Sequence, residues 1–113
     1  MAVTPVLITK TVTTAGAQVQ VTTDTDIKPV SVYFEADAAN TGYIYIGLSD
    51  VSSTSYLSRL TIPTSASSPS WSLNSASNGG RIGATGIQLS NLWVDSSVNG
   101  EKVHITYVYE IGG

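Results

Sequence analysis

PVSVYFEADAANTGYIYIGL, residues 29–48, is the one stretch of this chain in which strand, turn and strand signals follow one another without a break. Val30, Val32, Phe34 and Ala36 alternate with Ser31, Tyr33, Glu35 and Asp37, the period of two that marks a half-buried strand. After the reversal Ala39-Asn40-Thr41-Gly42, a second alternation sets Ile44, Ile46 and Leu48 against Tyr43, Tyr45 and Gly47. Asn and Gly tolerate the positive φ of a tight turn. The stretch therefore predicts an antiparallel hairpin with one face in a core. The other face, bearing Tyr33, Tyr43 and Tyr45, is partly open.

Upstream, residues 1–14, MAVTPVLITKTVTT, are extended in character and rich in β-branched side chains. Pro5 has no amide donor, so this segment predicts an edge strand or an N-terminal arm. Val6, Leu7 and Ile8 are too apolar for water and lie either on the domain's own sheet or on a neighbouring subunit. Val3, Pro5 and Leu7 are accordingly candidate interaction residues. Ala15-Gly16 breaks the pattern, and Ala17, Val19 and Val21 alternate with Gln18, Gln20 and Thr22 in a strand that ends at Asp24-Thr25-Asp26. A hard cation needs six or more oxygens, and no Gly-hinged acidic loop with a closing Glu accompanies this Asp-x-Asp. It reads as a turn, and no metal is predicted.

Downstream, Tyr56, Ser58 and Leu60 to Ile62 form a short strand stopped by Pro63. The segment 64–86, TSASSPSWSLNSASNGGRIGATG, is rich in Ser, Gly and Asn and longer than a structureless loop in a compact domain ought to be. It carries Trp71, Leu73 and Ile82. Trp71 and Leu73, two apart, either face inward from a brief strand or anchor the loop on a partner. Gly80, Gly83 and Gly86 lack the strand-to-helix setting of a phosphate-cradling loop. Ile87 to Asp95 resumes strand character, with Ile87, Leu89 and Trp93 on one face, and Val98-Asn99-Gly100 is a further turn. Glu101 to Glu110 sets Val103, Ile105, Tyr107 and Tyr109 against Lys102, His104, Thr106 and Val108. No segment keeps a helical period over three turns. Seven or eight short strands between turn clusters predict an all-β fold, an antiparallel sandwich or jelly-roll-like barrel over residues 15–113, with 1–14 as arm or edge strand.

With 113 residues and no Cys, the chain is one domain that builds its core without disulfides or thiolate chemistry. MAVTPVLITK has no basic n-region, and its apolar run is too short for a signal peptide or a membrane span. Lys10, Lys28, Arg59, Arg81 and Lys102 are spread singly through a chain of net charge −3, which excludes the clustered cations a phosphate backbone demands. Only 12% of residues are charged, about half the usual share. Hydroxyls fill the gap, and such a surface lies against another protein at low desolvation cost, the alternative being an extracellular-type β domain with no such partner.

Nothing in the sequence assembles a catalytic set. His104 is the only histidine, so zinc chemistry lacks ligands, and it reads as a surface or interface residue. Gly47-Leu48-Ser49-Asp50-Val51 lacks the final glycine of a nucleophile elbow. Glu35 and Asp37 share a strand face at a spacing near that of a retaining glycosidase, yet any outward acidic pair on a strand has that spacing. No enzyme activity and no cofactor are predicted.

Ala39-Asn40-Thr41-Gly42-Tyr43-Ile44-Tyr45-Ile46-Gly47, followed later by Leu92-Trp93-Val94-Asp95-Ser96-Ser97-Val98-Asn99-Gly100-Glu101-Lys102-Val103 and a Tyr-rich last strand, resembles small virion structural proteins of tailed bacteriophages. The resemblance implies a β-sandwich that decorates or cements the head, as a homotrimer seated where major capsid protein subunits meet. That places the protein on the virion head surface, assembled in the host cytoplasm, with neither nucleic acid nor membrane as partner. A neck, tail, fibre or receptor-binding virion protein is the alternative reading. Another is a carbohydrate-binding module in which Trp71, Trp93, Tyr43 or Tyr45 stacks on sugars. Under the decoration reading, Tyr43, Tyr45, Trp71 and Leu73 join the N-terminal residues as contacts, and deleting 1–9 or Trp71→Ala weakens attachment without unfolding the domain.

Overall fold

The computed structural model describes residues 2–74 and 88–111, the first and last three of these as backbone only. Eight strands run through them: β1 Ala2–Val12, β2 Val19–Gln20, β3 Ser31–Ala36, β4 Ile44–Gly47, β5 Ser58–Leu60, β6 Ser70–Asn74, β7 Trp93–Ser96 and β8 Glu101–Ile111. They form two four-stranded antiparallel sheets, in the orders β1-β8-β3-β6 and β2-β7-β4-β5. The pairs β1·β8, β2·β7, β3·β6 and β4·β5 are those of one long hairpin whose tip lies between β4 and β5. That hairpin is folded over so that β3 also joins β8 and β4 also joins β7. The result is an eight-strand jelly roll. Residues 2–12 take the edge-strand form, paired with β8 over their whole length.

The alternation read in the sequence sets which faces meet. Ile8, Ile105, Phe34 and Trp71 stand side by side across the first sheet, and Val6, Tyr107, Val32 and Leu73 form the next row. Both rows face the second sheet, where Ile44, Ile46, Leu60 and Val94 are buried against them. The expected inward residues of β3 and β8 from Val32 to Ala36 and from Val103 to Tyr107 are all buried. In the 87–95 stretch the faces differ from expectation: Leu89–Asn91 is a 3-10 turn, which breaks the period of two. Leu89, Leu92 and Val94 are buried while Trp93 is only half-buried.

The hairpin expected over 29–48 does not form. β3 pairs with β6 and β8, β4 with β5 and β7, so the chain crosses from one sheet to the other at this corner. Side chains decide it. Asn40, nearly buried, donates from Nδ2 to the Lys102 carbonyl at 2.7 Å and accepts the Lys102 N–H at Oδ1 at 2.9 Å. Asn40 thereby stands in for a strand residue at the start of β8. Buried Glu101 accepts the Thr41 N–H at 2.8 Å, and the Asp37 N–H donates to the Lys102 carbonyl. Gly42 then passes so close to the β7–β8 turn that an added Cβ would lie 2.5 Å from Ser97 Oγ and 2.7 Å from Val98 Cγ2.

Candidate interaction surfaces

The outer face of the second sheet carries the tyrosines. β4 turns Ile44 and Ile46 inward, so Tyr45 points outward. Its ring lies 5.5 Å from that of Tyr56 and 6.5 Å from that of Tyr43. Arg59, opposite Tyr45 on β5, sets its guanidinium 4.7 Å from the Tyr43 ring centroid, a cation–π contact. The expectation of an open Tyr45 is therefore corrected. Its neighbours cover it, and only 5% remains exposed.

The exposed apolar surface sits beside this strip, in the β4–β5 connection. Leu48 is 49% exposed, Tyr56 42% and Leu57 53%. Parity sends Leu48 inward, but β4 stops at Gly47 and the chain turns back at once, the Val51 N–H donating to the Leu48 carbonyl at 2.9 Å. Leu48 thus leaves the pleat, and Val51 settles over Gly47, whose missing Cβ makes room for it. Gly47, Leu48, Asp50, Ser55, Tyr56 and Leu57 line a shallow hollow of about 170 Å³ here. Sequence reasoning missed Leu48, Leu57 and Arg59 as surface residues. The usable signal was Tyr56-Leu57, two large side chains set in an otherwise polar turn.

The outer face of the first sheet is built from the alternate residues. Leu7, 66% exposed, and Tyr33, 40% exposed, flank Thr106 in one row across β1, β8 and β3. In the next row stand Thr9, His104 and Glu35. His104 Nε2 lies 2.7 Å from Asp37 Oδ1, and its Nδ1 lies 3.0 Å from Thr9 Oγ1. The imidazole and the Ala39 N–H, both donating to the Asp37 carboxylate, hold its pKa below the ordinary 3.8. The order hydroxyl, imidazole, carboxylate is that of a nucleophile, a base and an orienting group. Here Thr9 and His104 are direct cross-strand partners, and Asp37 begins the inter-sheet corner, so the chain of bonds clamps β1, β8 and that corner together. The sequence left His104 without a visible partner. Asp37 is that partner.

Of the two readings of Trp71 and Leu73, the structure takes the inward strand. Both belong to β6 and pack half-buried against the core, the Trp71 ring 5.8 Å from that of Phe34. Pro5 is exposed on β1. The Val3 backbone pairs with Glu110, and its side chain lies outside the described ones. So do Gly80, Ile82, Gly83, Gly86 and Ile87 entirely. The candidate contacts thus fall on three faces: Pro5 and Leu7 outside the first sheet, Tyr43 and Tyr45 outside the second, Trp71 and Leu73 between them. Asp24 accepts the Asp26 N–H within its own turn, and no group of three or more His, Asp or Glu among the described residues is placed to hold a metal ion. Comparison with protein-family models, curated proteins and solved structures found no match to this chain.

Proposed function

We propose that this chain is a non-enzymatic virion structural protein of a tailed bacteriophage, a decoration or cement subunit that binds the outer head surface and stabilises it. The observation that carries the reading is the group Leu48, Tyr56 and Leu57, three large side chains exposed together at the tip of the rolled hairpin in a chain only 12% charged. Apolar anchors ringed by hydroxyls suit a contact surface. The sequence resemblance supplies the partner, the major capsid protein, and the trimer. The jelly roll adds an analogy of architecture with viral capsid domains. Repetition over a symmetric shell multiplies many shallow contacts into firm attachment.

The test is the copy number in purified virions relative to the major capsid protein, by quantitative mass spectrometry, with Leu48→Asp/Leu57→Asp alongside. Near-stoichiometric copies that fall at least tenfold in the double variant support the reading. A handful of copies moves the protein to neck, tail or fibre, and absence from virions overturns the virion reading. The exposed Tyr56 ring, with half-buried Tyr43 in the same cluster, favours a second reading, a sugar-binding module. Under it, Tyr56→Ala abolishes glycan binding and leaves particles unaffected.

A further inference from the structure

Where the edge strands β1 and β2 leave the two sheets apart, a cleft of about 500 Å³ opens, within the size range of small-molecule sites. Its floor is apolar: Val21 and Leu89 are fully buried, Tyr107 nearly so, and Ile8 and Ile27 are packed against the core. Thr22 and Thr23 bring hydroxyls to the rim. Among the described residues, the one charged side chain in the lining is Lys10.

Lys10 is out of keeping with its position. On β1 it lies between Ile8 and Val12, both on the inward side of the strand, and opposite buried Val103. It is half-buried, and no carboxylate among the described residues pairs with it. An inward, half-buried cation without a carboxylate partner contributes little to the fold. It is a good complement to a ligand that brings the missing anion.

We propose that this cleft binds a small amphiphilic carboxylate, its chain on the half-buried Ile8 and Ile27 and its head on the Lys10 ammonium. The reading is independent of the virion assignment, because it uses neither the β4–β5 tip nor the outer faces.

The experiment is isothermal titration of the full chain with octanoate, decanoate and decanol below their aggregation ranges. Decanoate binds saturably at one site, octanoate binds about fifteenfold more weakly, as two methylenes of burial require, and decanol on the order of tenfold more weakly for want of the charge-assisted bond. Lys10→Met brings decanoate down to the level of decanol, whereas Lys28→Met, at an exposed lysine off the cleft, changes nothing. Thr22→Phe, which fills the rim, removes binding of all three. Absence of saturable decanoate binding, or unchanged affinity in Lys10→Met, overturns the proposal, and Lys10→Met decides it even if Thr22→Phe fails to fold.

Discussion

Asn40 gives the corner between the sheets its shape, and Asn40→Ala strips both bonds from the Lys102 peptide. The Lys102 carbonyl keeps the Asp37 N–H, so only the Lys102 N–H loses its partner, at an expected cost of about 1–3 kcal/mol, read as a lower urea midpoint at unchanged slope. Asn40→Asp keeps an acceptor for that N–H but sets a carboxylate oxygen against the Lys102 carbonyl, so it restores only part of the loss. Gly42→Ala drives a methyl into Ser97 and Val98 and is expected to cost about 1–3 kcal/mol. Asp37 acts through charge. Its pKa is lowered in the folded chain, so its contribution to stability is complete above the ordinary value of 3.8 and is lost as pH falls through the lowered one. Asp37→Asn is therefore expected to flatten that acid limb of the stability profile, measured by urea unfolding between neutral and acid pH.

At the scale of the element, β1 changes the meaning of a truncation. Because every residue from Ala2 to Val12 pairs with β8, and Val6 and Ile8 pack on the core, deleting residues 1–9 removes most of a sheet edge. Loss of cooperative unfolding by circular dichroism is the expected outcome, and a domain that stays folded would contradict it. Trp71→Ala, likewise, is expected to cost about 1–3 kcal/mol through its half-buried contact with Phe34. Both expectations replace the one that these changes would spare the fold. The inward faces of β3 and β8 were legible because each is a clean alternation buried on one side. The partner of β3 was not: alternation says which side of a strand is wet and nothing about which strand lies beside it. Asn-Thr-Gly after a strand reads as a tight turn, and bonds from this corner to Glu101 and Lys102, among them Asn40 to Lys102, 62 residues away, turn it into a crossing. Tyr45 escaped for a related reason, since its cover comes from Tyr56 and from a loop whose course the sequence leaves open.

For the molecule as a whole, the nested pairing puts the two ends of the sequence side by side and leaves few short-range ladders to form first. Such topologies fold in milliseconds to seconds, and stopped-flow refolding of the full chain is expected to fall in that range. Synthesis adds a longer delay. The first ladder joins residue 2 to residue 111, and at ribosomal speed the wait between them is on the order of ten seconds. Until β8 emerges, β1 has no strand to pair with, so the nascent chain carries Val6 and Ile8 unshielded over that whole interval. A holdase or trigger-factor-like chaperone that recognises short apolar strands has its clearest target there, on β1, and loses it when β8 docks.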